Sequence, residues 1–165
     1  LVRDFVNHGK NPSHIIQDGL ENYINELKDK ISQILEGKLG FHIHCPDTAM
    51  PKDGPSAGGA IASAIYSCLT GLEINRTVAM TGEIDLAGNI TAIGGLGPKL
   101  RGAKRAGVQI ALFPNDNMDD LIKLRNNDES PESSDFQAIP VTNINEAIAY
   151  IIKSRTADSI PESLS

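Results

Sequence analysis

Ser56 is the residue of this 165-residue chain whose surroundings best suit a nucleophile. It lies in Pro51-Lys52-Asp53-Gly54-Pro55-Ser56-Ala57-Gly58-Gly59, a stretch whose prolines and glycines force turns. The stretch leads into an apolar run, Ala60 to Leu69, that has helical length and ends at Gly71. A serine between glycines at the mouth of a helix has backbone N–H groups near it, and a helix start stabilises negative charge. Such a place can hold a tetrahedral oxyanion. The plainer reading is that Ser56 only caps the helix. Gly54-Pro55-Ser56-Ala57-Gly58 fits G-x-S-x-G, but a pattern this short also arises by chance.

A serine nucleophile needs a base. The α/β-hydrolase order, Ser then acid then His, fails because His8, His14, His42 and His44 all precede Ser56. A His–Ser order on another fold stays open, with His42 or His44 as the base. Lysine is the other base, provided its amine is neutral. Among Lys99, Lys104, Lys123 and Lys153, Lys99 stands apart. It follows Gly94-Gly95-Leu96-Gly97-Pro98, so backbone can pack closely around it. It also falls in the first turn of its helix, where the dipole disfavours a positive charge. Lys104, beside Arg105, reads as a solvated charge, which is also the plainer reading of Lys99. His42 and His44 share one side of a short strand, Cys45 faces the other way and no third ligand is placed, so no metal site is expected. No Gly-Lys-Ser/Thr follows the loop, so it is not a phosphate-binding P-loop.

The elements that must position these residues can be read in order. Residues 1–6 suggest a strand that begins abruptly. Pro12 opens a long helix, with Ile16, Leu20, Tyr23, Ile24, Leu27, Ile31, Ile34 and Leu35 on one face and a stop at Gly37. Residues 41–45 suggest a strand, followed by the glycine-rich loop and apolar helix. Residues 77–80 and 90–93 suggest two strands joined as a hairpin by the turn Asp85 to Asn89. Pro98 starts a helix closed by Gly107, residues 109–113 form a strand and residues 115–124 a short helix. Residues 125–135 read as a mobile polar loop, 137–141 as a strand, 144–152 as a helix and 154–165 as a frayed tail. Helices and strands mix without regular βαβ alternation, which predicts an α+β domain.

Composition narrows the function. The length suits one domain, and 40% hydrophobic residues suit a globular one. A net charge of −6 argues against nucleic acid or an anionic membrane as the main partner. Cys45 and Cys68 show no ligand spacing, which suits a reducing compartment such as the cytoplasm or mitochondrial matrix. No apolar run reaches the ~20 residues that span a bilayer, and the N-terminus does not read as a signal peptide.

Three motifs in order resemble the proteolytic domain of Lon proteases. They are Pro51 to Gly58, then Met80-Thr81-Gly82-Glu83-Ile84, then Ile93-Gly94-Gly95-Leu96 with Lys99 just beyond. The resemblance runs from about residue 9 to 152, within a domain taken as 1–153. It implies a Ser–Lys dyad peptidase of the ribosomal protein S5 domain 2-like α+β fold. By motif, Ser56 is the nucleophile and Lys99 the general base. Thr81 bonds and steadies the lysine, and Asp53 is a loop residue that alters access to the serine. The resemblance implies no cofactor or metal in this domain, with ATP and Mg serving an ATPase module that unfolds protein substrates and feeds them to a ring of six. The chain departs from the family in having no Walker motif, in lacking the usual preceding strands, in Gly97-Pro98 where charged residues are common, and in Gly59 where a larger residue often stands. A non-catalytic module that keeps the fold is the alternative, though such a relative would be expected to have lost Ser56, Lys99 or Thr81.

Overall fold

The computed structural model describes residues 12–43 and 54–153, which fall in two compact units. The first holds α1, Pro12–Leu35. Its helix stops as expected, with Gly37 at φ 71° donating its N–H to the Ile34 carbonyl. The strand expected over 41–45 is not found among the described residues: 41–43 join no ladder, Phe41 and Ile43 are exposed, and 44–45 lie outside the described residues. A strand exists only through its partner, and a short apolar run does not supply one. The expected strand 1–6 and the tail 154–165 also lie outside the described residues.

The second unit begins with a 3₁₀ turn, Pro55–Ala57, running into α2, Gly58–Thr70. Gly71, left-handed at φ 69°, closes α2 through its N–H to the Ser67 carbonyl. The polar residues of this apolar helix bond inward: Ser63 donates to the Gly59 carbonyl at 2.8 Å and Thr70 to the Tyr66 carbonyl at 2.8 Å. Then follow β1 (Val78–Met80), β2 (Glu83–Ile84), β3 (Ile90–Thr91), α3 (Leu96–Arg105), β4 (Ile110–Pro114), α4 (Met118–Asn126), β5 (Gln137–Val141) and α5 (Ile144–Ile151).

The strands pair differently from the expected hairpin. β1 pairs in parallel with β4, and β4 in parallel with β5. The turn Asp85 to Asn89 instead closes β2 on β3, with Glu83 opposite Thr91 and Ile84 opposite Ile90. Asp85 sets this turn: its carboxylate accepts from the N–H of Ala87 and Asn89 and from the Asn89 side chain. A turn this tight aligns only its immediate flanks, so Val78–Met80 are left free for β4. The result is two βαβ crossovers, through α3 and α4, the first carrying the β2–β3 hairpin as an insertion. The unit is a mixed α and β structure, consistent with the expected α+β class.

β4 runs through the centre of the core. Ala111 and Phe113 face one cluster with Leu96, Leu100, Leu121 and Phe136, while Leu112 faces another with Ile90, Val141, Ala147 and Ile151. Burial on both faces is what a central parallel strand requires. The stretch 125–135, expected to be a mobile loop, opens on the last two residues of α4 and carries a set of side-chain bonds. Arg125 makes a bidentate pair with Glu132 at 2.7 and 2.8 Å, and Lys104 Nζ donates to the Pro131 carbonyl and the Ser133 hydroxyl, both at 2.8 Å. Among the described residues no helix is long and apolar enough to cross a membrane.

Candidate functional site

Ser56 is the middle residue of the 3₁₀ turn, and it is half-buried. Gly54 before the turn has φ 96° and ψ 155°, a conformation open only to glycine, and Pro55 presets the first turn residue. The loop is strapped to the start of the hairpin. The Gly82 N–H donates to the Ser56 carbonyl at 2.8 Å, and the Gly59 N–H donates to the Gly82 carbonyl at 3.0 Å. Close approach here depends on glycine: a Cβ on Gly82 would lie 2.5 Å from Ile90 Cγ2, and one on Gly58 3.1 Å from Ile84 Cγ2.

Thr81 joins this strap to the sheet. Its N–H donates to the Leu112 carbonyl at 3.0 Å, carrying the β1–β4 ladder one residue further. Its hydroxyl donates to the Ser56 carbonyl at 3.4 Å, which ties it to the serine loop. Lys99 stands on α3, which starts at Leu96, two residues before the expected Pro98, after left-handed Gly95. Lys99 is half-buried, and its own N–H reaches the Gly95 carbonyl at 3.4 Å.

Asn117 fixes where α3 begins, and sequence reading missed it. Its side chain is buried, accepts from the Ile93 N–H at 2.9 Å, and donates to the Ile93 carbonyl at 2.9 Å and to Asp120 at 2.8 Å. It thus holds the backbone just before Gly94-Gly95. No local pattern distinguishes such an asparagine from a surface turn residue.

Ser56, Thr81 and Lys99 line one cleft of about 300 Å³. Its remaining walls are apolar and include Ala57, Ala60, Met80 and Ala103. Ala60 lies one helical turn from Ser56 and Ala103 one turn from Lys99, a spacing that was readable once both ends were suspected. A second cleft of similar volume, lined by Pro98, Arg101, Lys104, Arg105 and Pro131, contains no hydroxyl or thiol nucleophile. Asp53 lies outside the described residues, as do His8 and His44; His42 is exposed. Among the described residues, the ion pairs of the second unit join Lys123 to Asp120, Arg125 to Glu132 and Lys153 to Glu73, and none involves Lys99 or Glu83. Among the same residues no three His, Cys, Asp or Glu side chains group as metal ligands.

A hydroxyl and an amine on the walls of one open cleft suit acyl transfer, with oxygen attacking and nitrogen moving the proton. Hydrolases are one class that uses such a pair. Comparison with known proteins narrows it. The profile of the family described as Lon protease (S16) C-terminal proteolytic domain matches residues 22–154. A Lon protease of Rhizobium meliloti (strain 1021) is 44% identical over 115 residues, covering 70% of this chain and 14% of the relative. A Lon protease of Vibrio parahaemolyticus serotype O3:K6 is 47% identical over 118 residues, covering 70% of this chain and 14% of the relative. One from Haemophilus influenzae is 51% identical over 90 residues, 54% of this chain and 11% of the relative. The chain belongs to the family of Lon protease C-terminal proteolytic domains, and is a serine-type peptidase domain. It spans about 14% of the length of these first two relatives.

Proposed function

We propose that this domain hydrolyses peptide bonds with Ser56 as nucleophile and Lys99 as general base. The observation that supports this reading is the single cleft lined by Ser56, Thr81 and Lys99. The Ser56 hydroxyl oxygen attacks the substrate carbonyl carbon while the Lys99 amine takes its proton. The tetrahedral intermediate collapses to an acyl-serine, and the leaving amine departs with the proton from Lys99. Water, deprotonated by Lys99, then releases the acyl group and restores the serine. The Gly58 and Gly59 amides are engaged, with the Pro55 and Gly82 carbonyls, so the oxyanion is met by the N–H of Ser56 itself. Thr81 steadies the serine loop from the sheet side, and Asp53 controls access to it.

The reading extends to the whole protein. Residues 1–153 form the proteolytic domain, of the S5 domain 2-like fold, with 154–165 as a tail. The domain works in a ring of six in a reducing compartment. An ATPase module, using ATP and Mg, delivers unfolded protein chains to it. Nucleic acid and membrane are not partners of this domain.

Ser56→Ala and Lys99→Arg test the dyad in the full-length protein, with fluorogenic peptide hydrolysis as the measure and circular dichroism as the check on folding. Ser56→Ala should abolish turnover. Lys99→Arg should lower it by about 10²–10⁴-fold, because a guanidinium stays protonated and has no lone pair to offer. Wild-type rates in folded Lys99→Arg would sink the dyad and leave a histidine as the base. An unaltered protein that binds these peptides without cleaving them would favour the non-catalytic module instead.

A further inference from the structure

Gly59 is a buried residue in the first turn of α2. A Cβ built on it would lie 2.4 Å from Met80 Cε, 3.0 Å from Met80 Sδ and 3.4 Å from Ile90 Cδ1. The Met80 thioether therefore fills the space that a side chain at position 59 would need. Met80 also belongs to the wall of the cleft shared by Ser56 and Lys99. Its other side packs on the cluster that holds Ile90 and Leu112, which are 3% and 0% exposed. A packed interior gives way very little, while a methionine tip with three rotatable bonds moves easily. Displaced from Gly59, the thioether can move into the cleft that Met80 already lines.

We propose that Gly59 and Met80 act as a pair that sets the size of substrate side chain the cleft accepts. Gly59 lets the thioether lie against α2, out of the cleft. Five alanines, Ala57, Ala60, Ala79, Ala103 and Ala111, keep much of the remaining apolar wall short, with Leu100 and Leu112 behind them, so the space suits a large apolar side chain flanking the cleaved bond. Any side chain at position 59 turns the thioether inward and shortens the cleft. This rests on the reading of Ser56 and Lys99 as the catalytic pair, because that reading makes the cleft a substrate site.

The experiment compares kcat/KM in the full-length protein for two fluorogenic peptides that differ only in Phe or Ala before the cleaved bond. Gly59→Ala should lower the Phe-to-Ala ratio by about tenfold or more, the usual scale for one methylene of pocket space. Met80→Ala alone should raise the ratio, and Met80→Ala added to Gly59→Ala should restore it. A ratio that stays the same in the single variants overturns the proposal. A second readout needs no turnover: in protein labelled at the methionine methyls, the Met80 signal, assigned by its loss in Met80→Leu, should shift in Gly59→Ala. It should also shift in Ser56→Ala when the Phe peptide is added, and less with the Ala peptide. An unmoved signal in Gly59→Ala overturns the proposal. If Ser56→Ala still cleaves while the ratio and the Met80 signal respond as stated, the catalytic assignment fails and the Gly59–Met80 pair stands.

Discussion

Thr81 shows how a single residue divides its labour between sheet and site. Its N–H completes the sheet through Leu112, and its hydroxyl leans on the carbonyl of Ser56. The hydroxyl bond is long, so its loss should cost about 1 kcal/mol, roughly fivefold in rate. Thr81→Val keeps the shape and removes the donor. Peptidase kcat should fall by that amount with the fold intact, and Thr81→Ser should recover most of it. A loss as large as that of Lys99→Arg would mean that Thr81 takes part in proton transfer itself.

Asn117 carries the argument at the level of elements. The β3–α3 connection holds Gly94 and Gly95, with Gly97 following in the first turn of α3, and would be loose by composition. One buried side chain holds both the N–H and the carbonyl of Ile93 and so fixes where α3, with Lys99, begins. Asn117→Leu would leave the part-buried N–H and carbonyl of Ile93 without this partner, at about 1 kcal/mol each. The expected outcome is a lower urea midpoint together with a lower kcat. Unchanged kcat in a destabilised but folded variant would show that Lys99 is positioned without this clamp. The same level explains the mistaken hairpin. Parallel partners such as β1 and β4 are joined by a crossover, and nothing local in either strand names the other.

At the scale of the whole molecule, acid should weaken the second unit partly through the 125–135 stretch. The hydrogen-bonded Arg125 guanidinium holds the Glu132 carboxyl below its ordinary value of 4.5. A depressed carboxyl contributes stability that is present above 4.5 and is lost as pH falls through its folded value. Arg125 is about half exposed, so the pair is worth about 0.5–1 kcal/mol. Glu132→Gln should therefore be less stable than the native protein at pH 7, and the two denaturation midpoints should converge towards pH 3. A constant gap across that range would remove Glu132 as the cause. Assembly is the other question at this scale. If the proposed ring depends on an ATPase module, sedimentation of the isolated chain over a range of concentrations should show weak self-association. A strict monomer with full peptidase activity would count against a required ring.

The helices were legible because their signals are local. Pro12 and Gly37 bound α1, Gly71 closes α2 and Gly107 follows α3, each through conformational preferences that act within a few residues. The chemistry of Ser56 and Lys99 was also suggested by neighbours in the chain, and the order of three motifs identified the family. What the chain order could not supply was contact between distant segments. That includes the parallel pairing of β1 with β4, the bonding of residues 125–135 to α3, and the clamp of Asn117 on Ile93. It also includes the Met80 thioether resting where Gly59 has no side chain. Each of these depends on which surfaces meet once the core has packed. Only the tertiary structure decides that, because hydrophobic burial is non-directional while hydrogen bonds and close packing accept only particular partners.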